Sequence, residues 1–347
     1  MGLFDNINFN TYKINKALIN ASRSLAELKG FLRDIPNQDI LINAITINES
    51  KDSSNIENIK TTYDSIYKVL VEKNYIDDNA IKVVNYRKTI WYGYNFIKDN
   101  GFISTNMIIN MGSIIEPYNT GIRKVPGTNI VNSKTNEVIY TPPQGEKEIR
   151  DLLKELEDFI NDNNDNIDPL IKLCLIHYKF ESIHPFYDGN GRTGRILNIL
   201  YLVLTNMIDS PMLYLSNYID KYKDDYYRLL KEFNDNYEEY IIYMLNGIEE
   251  TSKDIIIKVL KLECVIEDYK KDFMIKLPKI YSDELLNILF KEVYVKSSHL
   301  ETTLGITRQT ASMYLKSLNK EGLLGFEKVG RDSIYKNNIL IDLLKEF

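Results

Sequence analysis

The sequence contains few of the residues that build cross-linked or metal-stabilised folds. Only two cysteines occur in 347 residues, Cys174 and Cys264, and both lie within apolar helical patterns far apart in the chain. This number and spacing exclude a disulfide framework and a CxxC zinc site, and they fit a reducing compartment. The first residues contain no basic stretch followed by an apolar core, so we predict no targeting segment and expect a cytoplasmic location.

Long hydrophobic runs and an excess of positive charge are also absent. The longest apolar run, 196–204, is interrupted by Asn198 and is far shorter than the roughly 20 residues that cross a bilayer, so no membrane partner is expected. The chain has 43 Lys+Arg against 49 Asp+Glu, a formal charge of -6. Because this balance creates no chain-wide field for polyanions, any contact with nucleic acid must be local.

Helical spacing of apolar residues dominates what is present. It predicts helices over 11–35, from about residue 40, in two segments of 79–116, over 146–160, from Pro169 to Phe180, and over 196–204. A further short helix is expected to start behind an Asp/Ser cap at 52–54. Residues 121–143 are instead rich in β-branched residues and turn formers, which predicts one β-hairpin with its turn at 133–136. The fold class is therefore mainly α.

The last 70 residues have the pattern of a separate module. Ser297 and Ser298 are expected to cap a helix ending at Gly305, and Thr307 a second one, which together give a helix-turn-helix. The alternating segment around Gly330-Arg331 then predicts a two-stranded wing.

DNA binding through 278–347 would use Lys316, Lys328 and Arg331 on phosphates. With ten Lys+Arg and nine Asp+Glu in this region, we favour slightly a role in dimerisation or target docking.

The segment from His184 to Arg195 carries the clearest chemical signal. Its residues, HPFYDGNGRTGR, stand between two apolar helices. Gly189 and Gly191 allow backbone N–H groups to approach a phosphate at the positive end of the following helix. Asn190 can donate to the same anion. The segment therefore predicts a polyphosphate cradle.

Charged side chains complete this prediction. Arg192 and Arg195 fall on one face of the first helical turn and can offer forked donors to the distal phosphates. Asp188 supplies a hard oxygen ligand for Mg²⁺, and His184 is a base suited to take a proton from an attacking hydroxyl.

The same segment resembles the Fic (Fido) family motif H-x-F-x-[DE]-G-N-G-R-x-x-R at every defined position. The resemblance implies a Fic helical core with a β-hairpin flap, followed by the winged helix-turn-helix. It implies AMP transfer from ATP, with Mg²⁺ or Mn²⁺, to a Ser, Thr or Tyr hydroxyl of a target protein. His184 would be the catalytic base and Asp188 the metal ligand. The implied ATP-binding residues are Gly189, Asn190, Gly191, Arg192, Thr193, Gly194 and Arg195.

Two further features follow from the resemblance. Residues 53–58 fit the family's inhibitory pattern, [ST]-x-x-x-E-[GN], which would place Ser53, Glu57 and Asn58 in an inhibitory helix. A carboxylate at Glu57 would compete with the γ-phosphate for Arg195. Such a carboxylate could also orient water for de-AMPylation in the same site. Downstream, Tyr227 resembles a residue that lines the adenine pocket.

These observations divide the chain into an N-terminal helical region with the inhibitory helix (1–105), a catalytic core (106–250), a connecting helix (251–277) and the winged-helix module (278–347). The hairpin would act as a flap that pairs with the target. We expect a homodimer and self-modification. His177 and Glu181 have a di-iron spacing but lack a second such pair, so they are interpreted as supporting or core residues. A DNA-binding regulator with a nucleotide-sensing Fic domain is the alternative function, although sensing ATP would not need His184.

Overall fold

The computed structural model describes residues 4, 7–33, 35, 38–72, 75–118, 121–131, 138–329 and 332–346. Helices account for most of them, which confirms the mainly α fold class. The helices are α1 (Tyr12–Arg33), α2 (Gln38–Ile56), α3 (Tyr63–Val71), α4 (Asp78–Asn100), α5 (Thr105–Ile115), α6 (Glu146–Asn161), α7 (Pro169–Ile183), α8 (Asn190–Leu204), α9 (Leu215–Lys221), α10 (Lys223–Lys231), α11 (Phe233–Lys276), α12 (Asp283–Lys291), α13 (Ser297–Leu304), α14 (Arg308–Lys320) and α15 (Asn338–Lys345). No helix in these ranges combines the length and apolar character needed to cross a bilayer.

The strands form two small antiparallel sheets. One is the predicted hairpin of β1 (Ile130–Val131) and β2 (Val138–Tyr140), whose expected turn at 133–136 lies outside the described residues. The other has the order β3-β5-β4 and consists of β3 (Tyr294–Val295), β4 (Gly325–Val329) and β5 (Asp332–Lys336).

The centre of the core is the pair α7 and α8. Nearly every residue of 196–203 is buried, because α8 packs against α4, α5 and α7 at once. Asp168 caps α7 through a hydrogen bond from the Leu170 N–H, and Pro169 occupies the first turn, as the sequence predicts. The loop between α7 and α8 therefore lies at the ends of two buried helices that pack against each other.

The inhibitory segment lies in a different place from the predicted one. No new helix starts at 52–54: α2 continues to Ile56, and the next helix, α3, begins at Tyr63 behind a Thr62 cap. The polar residues of this last part of α2 are buried, and Ser54 donates to the carbonyl of Ser50 within the helix. Asn58, with φ of 63°, then ends the turn that follows α2.

A single helix connects the core to the C-terminal unit. α11 has 44 residues with one non-helical position at Asn236, so the predicted boundary at 250/251 falls inside it. Gly247 does not interrupt α11, and a Cβ there would lie 2.7 Å from the Tyr218 ring, so this glycine allows close packing.

The C-terminal unit follows α11 in the order α12, β3, α13, α14, β4, β5 and α15. Thr307 caps α14 as predicted, accepting from the Thr310 N–H, whereas Lys296 rather than a serine is the cap residue of α13. Gly330 and Arg331 lie outside the described residues. The winged-helix assignment and DNA binding stay predictions.

Candidate active site

The loop from His184 to Asn190 is held by its own side chains. The Asn190 side chain donates to the carbonyl of Phe186 at 2.8 Å and accepts from the Phe186 N–H at 2.8 Å, so it fixes the loop rather than facing an anion. Gly189 has φ of 77°, and a Cβ there would lie 2.7 Å from the Ile115 side chain. This position therefore requires glycine, for its backbone conformation and for space. Thr193 is buried, and its hydroxyl donates to the Gly189 carbonyl.

His184 ends α7 in a left-handed conformation, with φ of 48°. Burial lowers the pKa of its imidazole to about 4, and the positive charge of Arg123 acts in the same direction. The Nδ1 atom is buried with no hydrogen-bond partner among the described residues. The imidazole is therefore neutral at pH 7 and available to accept a proton.

Glu57 joins the two arginines of the segment. Its Oε2 accepts from Arg192 Nε at 2.6 Å, and its Oε1 accepts from Arg195 Nη2 at 2.9 Å. Arg195 also donates to the side chain and the carbonyl of Ser53, at 2.7 and 2.8 Å. Although burial lowers the pKa of each guanidinium, the charge of Glu57 holds both pKa values above the ordinary range. Sequence reasoning paired Glu57 with Arg195 alone, whereas the structure shows one carboxylate bridging both.

The glycines of the motif leave space for these charges. A Cβ at Gly191 would lie 2.7 Å from Glu57 Oε1, and one at Gly194 would clash with Glu181 Oε1. The Glu181 carboxyl therefore lies against α8 at Gly194, near the start of that helix. Burial raises the pKa of its carboxyl to about 7, and its Oε1 has no partner among the described residues.

Asp188 stands at the open side of the site. Its side chain is 48% exposed, its Oδ1 accepts from the Gly189 N–H at 2.7 Å, and Lys82 Nζ lies 3.6 Å from its Oδ2. Lys82 also pairs with Glu116 at 3.1 Å, and Glu116 accepts from Arg192 at 2.7 Å. Within the described ranges no three His, Cys, Asp or Glu side chains cluster as a metal site. A cation bound to the exposed carboxylate of Asp188 would take further ligands from phosphates and water.

Tyr227 borders the same space. It is 47% exposed, and its ring packs edge-on against Tyr226. Removal of the hydroxyl from water raises its pKa, and the charges of Arg195 and Glu57 both act on it. Tyr226 in turn bonds His177 at 2.7 Å, and His177 contacts Asn198 at 3.0 Å, so His177 is a buried core residue.

Arg123 is a functional residue that sequence reasoning missed. It is fully buried, and its guanidinium donates to the carbonyls of His184, at 2.8 Å, and of Pro143. Arg123 thereby connects the end of the β1–β2 hairpin segment to the His184 loop. Tyr140 of β2 adds a hydrogen bond to the Ser182 carbonyl at 3.0 Å. A buried, fully charged side chain has no local sequence signature, which is why only the structure reveals it.

A second missed group fixes the end of α2. Tyr86 donates to buried Glu49 at 2.7 Å, and both the N–H and hydroxyl of Ser216 donate to Glu49 as well. Tyr214 donates to Asp52. These contacts from α4 and from the start of α9 position the helix whose last turn presents Ser53.

This combination of a helical core, a histidine loop and paired arginines at a helix start defines a family, and three family models match the chain. They are the Fic/DOC family N-terminal region over 15–95, the Fic/DOC family over 102–202, and the C-terminal domain of SoFic-like protein adenylyltransferases over 265–340. The chain belongs to the Fic/DOC family.

Curated relatives and solved structures agree with this membership. Protein adenylyltransferase fic-1 of Caenorhabditis elegans is 32% identical over 93 residues, which are 26% of this chain and 18% of that protein. Protein adenylyltransferase Fic of Drosophila willistoni is 41% identical over 56 residues, 16% of this chain and 11% of that protein. The matched parts thus span less than a fifth of these relatives.

Among solved structures, a Fic family protein from Desulfovibrio desulfuricans G20 superposes with a TM-score of 0.55 at 18% identity, covering 92% of this chain and 95% of that one. Fic-1 from C. elegans gives 0.55 at 20% identity, covering 70% and 72%. At these identities the likeness shows a shared fold.

Proposed function

We propose that this protein transfers AMP from ATP to a Ser, Thr or Tyr hydroxyl of a target protein, releasing pyrophosphate, and that Glu57 inhibits it at rest. The observation that carries the proposal is the convergence of Arg192 and Arg195 on one carboxylate beside the neutral base His184. The name protein adenylyltransferase, which the curated relatives carry, supports the same reaction.

In the proposed reaction His184 removes the proton of the acceptor hydroxyl. The hydroxyl oxygen forms a bond to the α-phosphorus, while the bond from that phosphorus to the bridging oxygen of the β-phosphate breaks. Pyrophosphate takes the negative charge as it leaves. Since His184 is neutral at pH 7, no proton has to be lost before it acts. Positioning and charge neutralisation supply most of the remaining catalysis.

The start of α8 is where the phosphates are proposed to bind. Backbone N–H groups at Asn190 and Gly191 and the helix dipole favour an anion there, and two guanidinium groups add charge-assisted donors. The Glu57 carboxylate is itself an anion on those donors. A γ-phosphate must displace it from Arg195 before it can bind, which is the basis of the proposed inhibition.

The residues present fit a Mg²⁺ or Mn²⁺ ion bound together with ATP. Asp188 offers a half-exposed oxygen on the phosphate side of the loop, and one carboxylate is sufficient when phosphate oxygens complete the shell. Bound there, the ion would neutralise phosphate charge. Asp188 also holds the loop through the Gly189 N–H, so its role includes positioning.

The hairpin is proposed to hold the target. Val138, Ile139 and Tyr140 of β2 are exposed, and Arg123 and Tyr140 connect the hairpin segment to the end of α7. A target strand paired with this edge would place its hydroxyl near His184. Tyr227 is proposed to contact the adenine. De-AMPylation, self-modification, homodimerisation and a cytoplasmic location stay predictions.

The test uses ATP labelled at either the α- or the γ-phosphate. The parent, Glu57→Gly and His184→Ala proteins are incubated with each, alone and with a lysate of the native cell. Relative to the lysate alone, whose own kinases transfer γ-label, we expect the added proteins to introduce α-label and no further γ-label, most with Glu57→Gly and none with His184→Ala. Glu239→Gly, which removes a carboxylate 62% exposed on α11, is the matched control for the glutamate. An increase in γ-label above that of the lysate alone would identify a kinase instead and contradict the proposal.

A further inference from the structure

A cavity separate from the candidate active site lies between the N-terminal helices and the C-terminal unit. Its volume is about 170 Å³, and its walls come from α2, α3 and α4 on one side and from residues 290–299 and α15 on the other. Leu70 at its edge is 39% exposed, so the cavity lies near the molecular surface. No residue that we assign to AMP transfer lines it.

Two buried polar atoms of residues in the wall have no hydrogen-bond partner among the residues that the structure describes. The Tyr67 hydroxyl is buried in a residue only 4% exposed and makes no hydrogen bond with any described residue. The Nδ1 atom of His299 is buried and equally without a partner within the described ranges. A buried polar group left without a hydrogen bond is costly, so each has the capacity to bind something that fills the cavity.

A cation faces the same space. Arg87 of α4 donates to the neutral side chains of Asn43 and Thr46, and across the described part of the chain no carboxylate lies within ion-pair distance of it. Burial lowers the pKa of this guanidinium, while the nearby Tyr67 and Glu292 oppose that shift. Arg87 therefore has charge that no acid here neutralises by direct contact.

The remaining wall is largely apolar. Lys291, Glu292 and Tyr294 also line it, but most of the remaining residues are apolar and come from both halves: Ile40, Ala44, Ile47, Leu70, Val71, Phe290, Val293, Leu340 and Leu344. An apolar cavity of about 150 Å³ holds one benzene-sized molecule, so this volume suits a compact hydrocarbon body. A ligand that matches both the polar and the apolar part of this wall needs one polar end and one apolar body, so it is an amphipathic small molecule.

We propose that this cavity binds a small carboxylic acid with a branched apolar body, its carboxylate on Arg87 and the Tyr67 hydroxyl. Both free acids and apolar α-amino acids carry this chemistry. Glu292, which also lines the cavity, favours the amino acid, because its carboxylate can accept from the ammonium group. Ala44 and Ile47 belong to the helix that ends beside Ser53, so the ligand would contact the helix that carries the inhibitory segment.

The test is isothermal titration calorimetry on the full chain with three probes of one shape: leucine, 4-methylpentanoate and 4-methylpentanamide. We expect at least one of the two acids to bind about tenfold or more tightly than the neutral amide. If both acids bind, the carboxylate is sufficient for recognition. If leucine is the one acid that binds, the contact between Glu292 and the ammonium group is required as well. Failure of both acids to bind, or equal binding of the amide, overturns the proposal.

Tyr67→Phe distinguishes a ligand site from a water-filled gap. The variant removes a hydroxyl that has no partner in the described part of the chain, so it should leave folding intact while weakening acid binding about tenfold. Tyr240→Phe is the matched control, because it removes another buried, unpartnered hydroxyl, on α11 away from this cavity. Unchanged acid affinity in folded Tyr67→Phe protein overturns the proposal. Since calorimetry needs no AMP transfer, this result is independent of the proposed enzymatic activity.

Discussion

Replacing Glu57 by glycine should convert the resting protein into an active one. The substitution removes the carboxylate that bridges Arg192 Nε at 2.6 Å and Arg195 Nη2 at 2.9 Å. The two arginines are affected unequally. Arg192 keeps its hydrogen bond to Glu116, whereas Arg195 keeps only Ser53, a neutral partner, among its direct hydrogen bonds in the described structure.

The expected magnitude follows from this inequality. Both arginines lose their bond to Glu57, but Arg195 alone is left without a directly bonded acid among the described residues. The free energy that a γ-phosphate no longer has to overcome at Arg195 is that of one charge-assisted hydrogen bond, about 1.5 to 3 kcal/mol. Because each 1.36 kcal/mol is a factor of ten in rate, transfer should rise about ten- to a hundredfold if displacement of Glu57 limits the rate. Glu57→Gln, which keeps the shape but loses the charge, should give a smaller rise.

The assay measures incorporation of α-label from ATP into added protein and into the enzyme itself, at an ATP concentration well below saturation. Arg195→Ala in the Glu57→Gly background should return transfer to the parental level or lower, since the γ-phosphate then lacks its donor. Arg33→Ala, at an exposed arginine paired with Asp209, should leave the gain intact. A Glu57→Gly protein that folds, binds ATP and transfers no more label than the parent would refute the inhibitory role.

Three further outcomes are expected. His184→Ala should abolish label transfer while ATP binding changes little, and transfer within about tenfold of the parent would show that the base lies elsewhere. Asp188→Ala should make residual transfer insensitive to added Mg²⁺ or Mn²⁺; a retained metal dependence would assign the cation to another site. Glu181→Gln should stabilise the protein by about 2 to 3 kcal/mol more at pH 8 than at pH 5 in urea unfolding. Burial raises the pKa of the native Glu181 carboxyl to about 7. The stability that the protonated carboxyl contributes to the protein is therefore fully present below about pH 4.5 and is lost as pH rises through 7. An equal effect at both pH values would contradict this.

The sequence predicted most helices closely because their apolar spacing and caps are local signals. Thr307 at the start of α14 and Asp168-Pro169 at the start of α7 are examples in which the cap residue itself was identified. The mainly α class and the hairpin in the core follow from the same signals, whereas the predicted boundary at 250/251 falls inside the continuous helix α11.

The end of α2 was predicted wrongly for a physical reason. Its residues Glu49 to Ser54 are polar, and runs of Asp and Ser usually cap a helix rather than end one. Here all of them except Lys51 are buried. Ser216, Tyr214 and Arg195 supply hydrogen bonds to Glu49, Asp52 and Ser53, and all three partners lie more than 140 positions away in the chain. Partners so distant leave no trace in a local pattern, and the same holds for Arg123 and Glu116.

The position of Glu57 in the chain also has a consequence for biosynthesis. A ribosome makes the chain from its N-terminus, so Glu57 is present before Arg192 and Arg195 emerge, 135 and 138 residues later. Glu57 is therefore already made when synthesis reaches the start of α8, where the phosphates are proposed to bind. If Glu57 inhibits as proposed, a nascent chain never passes through a stage in which the arginines are present and their inhibitor is still to be made, and no separate step would be needed to restrain newly made protein.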